Sequence, residues 1–275
     1  MNAELLHVAD CELAEGPVWH GRSLWWVDIE AGRLLNSNGD VFKAPFSIGA
    51  ALPCKNACWL LAEEEGFSIW NLTEEPRRFW TRPDAGPKYR FNDAKVAPDG
   101  SVWAGTLKRG SMEGNCKYYR LKPNLEVTED ITEIGLANGL DWFENRFYYT
   151  DTGAQTVYVR DGNQTRIFAN IEQGYPDGLT VDQVGNVWLA IWGEGKVICL
   201  HSETAKVIAM IDLPVPNVSS CCFGGNDLET LYITTARQHL SDEQLEQYPQ
   251  SGSIFCCRPG ARGFEARVFN NGALT

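Results

Sequence analysis

At 275 residues and a formal net charge of −12, the chain lacks the cationic footprint that nucleic acid or an anionic membrane surface requires, so neither is expected as a partner. No apolar run approaches the roughly 20 residues of a membrane-spanning helix, and the opening Met1–His7 has neither a cationic region nor a long apolar core, which predicts no secretory signal and a cytoplasmic location. The 10 Trp, 9 Tyr, 12 Phe and 26 Gly describe a strand-rich globule with many turns; no Pro/Gly/Ser-rich linker or charge block divides it, and one domain over 1–275 is expected.

Taken in chain order, six segments repeat one pattern: a small or polar opener, two or three apolar residues, a turn, an aromatic-rich strand, a turn and another strand. The first begins at Glu15 (Glu15-Gly16-Pro17-Val18-Trp19, then Leu24-Trp25-Trp26-Val27-Asp28) and a weaker copy lies around Ala51 to Ala62. A third starts at Asn92 (Asn92-Asp93-Ala94-Lys95-Val96, then Val102-Trp103-Ala104-Gly105), a fourth at Asn138 (Asn138-Gly139-Leu140-Asp141-Trp142, then Phe147-Tyr148-Tyr149-Thr150-Asp151). The fifth opens at Asp177 and runs through Gly185-Asn186-Val187-Trp188-Leu189-Ala190, and the sixth opens at Ser219 with Leu231-Tyr232-Ile233-Thr234 as its second strand. A period of about 40 residues with several short strands per repeat marks a β-propeller with one four-stranded blade per repeat. The fold expected is therefore all-β, a six-bladed propeller of four-stranded antiparallel blades. The unrepeated ends, Leu5-Leu6-His7-Val8 and Phe264–Phe269, are expected to meet as strands in one blade and close the ring.

In a propeller the first strand of each blade lines the central channel, so the openers form a ring at one mouth. Here the ring reads Glu15, a small residue near Ala51, Asn92, Asn138, Asp177 and Ser219. Two carboxylates, two carboxamides and a hydroxyl on one spot suit a hard divalent cation with oxygen ligands. Asn-Gly and Asp-Gly are also common turn dipeptides, but turn chemistry does not explain Glu15-Gly16-Pro17 in the same register.

Other chemistries find less support. The 9 Cys include no Cys-x-x-Cys pair, and their odd count suits reduced thiols buried as small hydrophobes. His7, His20, His201 and His239 show no metal-binding spacing and read as surface loop residues. No Gly-x-Ser-x-Gly elbow or phosphate-cradling loop is present. The repeats also lack the Gly-His and Trp-Asp signature of an interaction scaffold.

The stretch Tyr89-Arg90-Phe91-Asn92-Asp93-Ala94-Lys95-Val96-Ala97-Pro98-Asp99-Gly100, with Trp103-Ala104-Gly105-Thr106, is more particular than a generic blade. Together with Ala14–Trp19, Ala137–Trp142, Pro176–Leu179 and Ser219–Gly225, it resembles the regucalcin/gluconolactonase family of sugar lactonases, over nearly the whole chain and in the same order. The resemblance implies that Glu15, Asn138 and Asp177 are the protein ligands of one divalent metal (Ca, Mg, Mn or Zn). It also implies that Arg90 and Asn92 contact substrate hydroxyls and that Asp177 doubles as general base. The chain departs from the family after Thr106. Vertebrate members carry glutamates in that loop, whereas this chain reads Leu107-Lys108-Arg109-Gly110-Ser111-Met112-Glu113, so substrate identity does not transfer.

The activity expected is hydrolysis of a sugar-acid lactone, with a small-molecule substrate and no protein partner. A lactone is a cyclic ester whose opening needs a polarised carbonyl and a deprotonated water, which a divalent cation and a neighbouring carboxylate supply. Arg90 offers a fixed fork to hydroxyl or carboxyl oxygens, or else forms an ion pair between blades. Lys108 and Arg109 form a possible substrate loop, for which a uronate or dicarboxylic lactone would be a natural guest. Two alternatives stay open: a non-catalytic calcium-binding or regulatory propeller, and a propeller phosphotriesterase or arylesterase.

Overall fold

Six four-stranded antiparallel sheets build the molecule in the computed structural model, which describes residues 1–270. The inner strands are Ala14–His20, Ile48–Pro53, Tyr89–Val96, Ala137–Phe143, Tyr175–Val181 and Val218–Gly224, one per blade and in the order of the sequence repeats. Among the described residues, helix is confined to one short α-helix, Asp242–Gln247, and one 3-10 turn. No helix there is long and apolar enough to cross a membrane.

The blades hold together at their junctions. The large buried side chains fall into six clusters, each shared by two neighbouring blades. Between the third and fourth blades, Phe147 stacks on Trp142 with ring centroids 4.6 Å apart, while Trp103 tilts against it at 4.8 Å. Alternation along each strand puts one row of aromatics into each junction, and burying a ring of this size stabilises by about 2–3 kcal/mol. The cysteines serve the same packing: six are buried, three are half-buried, and none is in a disulfide.

The ring closes through the sixth blade. The N-terminal strand Glu4–His7 pairs antiparallel with the last strand, Ile254–Cys257, in the order N-terminal strand, Ile254–Cys257, Thr230–Thr235, Val218–Gly224. This covers the open edge of Ile254–Cys257. The C-terminal partner differs from the expectation for Phe264–Phe269. That segment is not a strand of the blade but a strap across the far mouth of the channel. Its start is held by Gln183 N–H to the Arg262 carbonyl (2.8 Å) and Gly263 N–H to the Leu228 carbonyl (2.9 Å). Its end is held by Phe269 N–H to the Pro53 carbonyl (2.9 Å), with the Phe269 ring fully buried among second- and third-blade residues. The edge of Ile254–Cys257 is already filled by Glu4–His7, so the tail has no place beside that strand in the sixth blade.

All six inner strands carry a register irregularity at or next to the opener, between Glu15 and Val18, Ile48 and Ala50, Phe91 and Ala94, Ala137 and Leu140, Pro176 and Leu179, and Val218 and Ser220. In each, one extra residue sits on the inner strand, which is a β-bulge and re-aims the side chains beside it. At three of these points, Gly49, Gly139 and Gly178, glycine is obligatory on space alone. A Cβ at Gly178 would lie 2.0 Å from Ser220 Oγ, and one at Gly49 would lie 2.4 Å from the Phe91 carbonyl oxygen.

Candidate metal and substrate site

The bulges deliver four of the openers to one place. Glu15, Asn92, Asn138 and Asp177 line a cavity of about 690 Å³ at the mouth where the inner strands begin, and each is only 5% exposed. Ser219 is not among them: its hydroxyl donates to the Ala14 carbonyl at 2.6 Å and lies 2.9 Å from Thr234 Oγ1, so it ties the sixth blade to the first. The small residue expected near Ala51 is the bulged Gly49, and Ala51 itself lies deeper, against an inner chamber of about 80 Å³.

The oxygen atoms at the ring are incompletely satisfied. Asn138 Nδ2 donates to Thr152 Oγ1 at 3.2 Å, which fixes the carboxamide with Oδ1 free of any hydrogen bond among the described residues. Thr152 is itself oriented by donating to the Pro176 carbonyl at 2.8 Å. Among the described residues Asp177 Oδ1 likewise has no hydrogen-bond partner, and Glu15 receives only the Gly16 N–H, at 2.9 Å on Oε2. Burial, reinforced by Asp93, pushes the Glu15 carboxyl up to about 8. Burial, then the Glu15 and Asp93 charges, raises Asp177 well above the ordinary carboxylate range. Buried, partly orphaned oxygens of this kind are costly unless a cation neutralises them. Two carboxylates and a carboxamide are the hard-oxygen donors that Ca²⁺, Mg²⁺ or Mn²⁺ take, so Glu15, Asn138 and Asp177 fit a divalent metal. Among the described residues no group of three or more His, Cys, Asp or Glu offers a metal site; this set has two acids and completes itself with an amide.

Arg90 is 3% exposed and does two jobs. Its Nη1 donates to Asn92 Oδ1 (2.7 Å) and to the Phe91 carbonyl (3.0 Å), and its Nε donates to Glu30 Oε1 (3.2 Å) in the first blade. The ion pair between blades is thus real, and it holds the guanidinium at the cavity wall. Asn92 Nδ2 donates to the Ala137 carbonyl at 3.1 Å, leaving one amide proton for a guest.

Lys108 and Arg109 both line the cavity, but they differ. Arg109 reaches away from the loop to Glu30 (2.8 Å), Glu64 (3.3 Å) and Ser47 Oγ (3.0 Å), so its charge is already shared with two acids. Lys108 ends the strand Val102–Lys108, is half-buried, and has no ion-pair partner among the described residues.

Several cavity residues escaped the sequence reading: Glu30, Thr152, Trp192 and His239. His239 is exposed in a turn, as a surface loop residue should be, but it also lines the cavity, where its ring meets Trp192 edge-on at 6.3 Å. A signal existed. Second strands run antiparallel to the inner ones, so whatever follows a second strand returns to the same mouth. These residues follow or end Ser23–Asp28, Arg146–Asp151, Val187–Trp192 and Thr230–Thr235. Asp93 was missed for another reason: the bulge breaks strand alternation, so Asn92 faces the outer cavity and Asp93 the inner chamber.

Residues 13–237 match the family model described as the SMP-30/Gluconolactonase/LRE-like region. A Bacillus subtilis protein provisionally named a sugar lactone lactonase, YvrE, is 32% identical over 283 aligned positions covering 94% of each chain. Pentonolactonase XacC of Haloferax volcanii is 34% identical over 82% of each. A solved structure described as a calcium-binding protein, regucalcin, from Agrobacterium tumefaciens superposes with a TM-score of 0.91 over 98% of this chain and 97% of that one, at 23% identity, and so supports the fold.

Proposed function

Because this chain belongs to the SMP-30/gluconolactonase/LRE-like family, we propose that it hydrolyses a sugar lactone to the open-chain acid, with a divalent cation held by Glu15, Asn138 and Asp177. The observation that carries this reading is the pair of orphaned buried oxygens, Asn138 Oδ1 and Asp177 Oδ1, beside Glu15 on one cavity wall. The relatives named as lactonases support the reaction class.

When bound, such a cation supplies Lewis acidity for the ester carbonyl and lowers the pKa of water. The chain's residues do the rest. Asp177, its Oδ1 unpaired, is the carboxylate that takes the proton from the attacking water as that oxygen closes on the carbonyl carbon. The ring C–O bond then breaks and the proton goes to the departing hydroxyl. Arg90, rigid through Glu30 and Asn92, donates to the sugar's hydroxyl oxygens, and Asn92 offers its remaining N–H. The buried ring confines water to the mouth, which strengthens each of these contacts.

The test is turnover of a lactone panel by chelator-stripped protein, with Ca²⁺, Mg²⁺, Mn²⁺ and Zn²⁺ added back. Activity should vanish on chelation and return with at least one ion. Asp177→Asn should lower kcat by about 10²–10⁴-fold, the range for a lost general base. Glu15→Gln should act mainly by raising the metal concentration needed. Wild-type rates from either variant at limiting metal would overturn the assignment. Saturable Ca²⁺ binding with no hydrolysis of any lactone would favour the non-catalytic reading, which the regucalcin-named relatives keep in view.

A further inference from the structure

The cavity mouth holds three cations, and their surroundings divide them. Arg90 is shared between Glu30 and Asn92, and Arg109 between Glu30, Glu64 and Ser47. Lys108 has no acidic partner among the described residues, although it is half-buried and lines the same wall. An ordinary lysine with no partner extends into solvent, but this one is held at its root. Its backbone pairs with Tyr89, and its carbonyl accepts from the Ser111 N–H at 3.2 Å to start the turn that follows.

The loop beyond it is fixed at both ends. Arg109 fastens it to the first and second blades through Glu30 and Glu64. On the other side the Met112 carbonyl lies against Gly153, where a Cβ would come within 2.0 Å, and against Gly135, where it would come within 2.9 Å. The loop therefore lies from the third blade onto the fourth, with the Lys108 stem set at the cavity wall. At about 690 Å³ the cavity has room beyond a bare six-carbon lactone, within the ~300–1,000 Å³ that drug-sized ligands occupy.

We propose that Lys108 is an anion subsite, and that the lactone this site prefers carries an anionic group, carboxylate or phosphate, at the end remote from the ester. The proposal rests on the lactonase reading above and deepens it. Arg109 is its positioning residue: by taking up Glu30 and Glu64 it keeps both acids away from Lys108 and fixes the loop. A half-buried ammonium gains from a charged partner more than a solvated one does.

The experiment compares kcat/KM for three lactones of one ring size: a neutral aldonolactone, the analogue with a terminal carboxylate, and the analogue with a terminal phosphate ester. The wild type should favour at least one acidic lactone by about tenfold or more, which equals about 1.4 kcal/mol, chiefly through KM and less so at high salt. Lys108→Ala should collapse that acidic-to-neutral ratio, Lys108→Arg should keep most of it, and Lys108→Glu should invert it. The acidic lactone whose ratio falls further identifies which group the subsite takes. No wild-type preference, or a Lys108→Ala loss equal for all three, would overturn the proposal. Absence of turnover on every lactone with every metal would instead sink the lactonase reading. The subsite would then be judged by calorimetry with the three open-chain acids, where equal loss of affinity for all three in Lys108→Ala overturns it and selective loss for either acid with a second anionic group supports it.

Discussion

Glu15 and Asp177 hold their protons far more tightly than solvent-exposed carboxyls because burial opposes ionisation, reinforced at Glu15 by the Asp93 charge and at Asp177 by the Glu15 and Asp93 charges. The consequence for stability has a definite sign. The folded chain tolerates these groups when neutral, so between the ordinary carboxyl value of 4.5 and about 8 for Glu15 it binds more protons than the unfolded chain. Stability of the metal-free protein should therefore fall as pH rises through that window. A divalent cation offsets the repulsion only where the acids are ionised, so the rise in Tm on adding the cation should be larger at pH 8 than at pH 5. Scanning calorimetry with and without chelator measures it; an equal or smaller shift at pH 8 would mean that these acids are not the ligands. At this scale the sequence was informative about which residue types opened each repeat, and Glu15, Asn92, Asn138 and Asp177 do converge. It misled at Ser219, whose hydroxyl is used up between blades, and it gave no sign of the partners of Arg109, Glu30 and Glu64, which lie far off in the chain. Such pairings depend on which blades touch, which no local spacing reveals.

The inner strand is the element that matters most, because its bulge turns an ordinary run of alternating side chains into a site. The bulges work only if neighbouring inner strands come very close, and Gly178 makes this testable. Gly178→Ala would drive a methyl group into Ser220 and should cost about 2 kcal/mol by overpacking. Gly162→Ala, in a turn with nothing within 4 Å, bears only the strain of its φ of +56° and should cost less. Thermal unfolding of both separates crowding from strain, and equal losses would contradict the tight-approach account. The strand Glu4–His7 provides a second test. Removing residues 1–9 uncovers the edge of Ile254–Cys257, and Tm should drop by at least about 5 °C, since ~1 kcal/mol moves a domain of this size by 2–4 °C. An unchanged Tm would show that the edge needs no cover.

For the molecule as a whole, the six-fold repeat was legible because each blade repeats one demand: aromatic rows for two junctions and a small or polar opener for the channel. The destination of the C-terminal tail was not, since Phe264–Phe269 has the alternation of a strand but its expected place in the closing blade is filled by Ile254–Cys257, paired with Glu4–His7. Lying instead across the far mouth, with Phe269 anchored against the second blade and Arg267 Nη1 reaching the Val96 carbonyl at 3.4 Å, the tail makes the channel a cul-de-sac. Traffic must then use a single doorway. On the proposed lactonase reading, the acid formed by ring opening has to back out past Arg90 and Lys108 before another lactone can come in, and it leaves bearing a fresh carboxylate that both cations attract. Product should accordingly compete with substrate, and progress curves should bend well before the lactone is exhausted. Curves that stay linear in the presence of added product acid would mean that a back door opens during turnover.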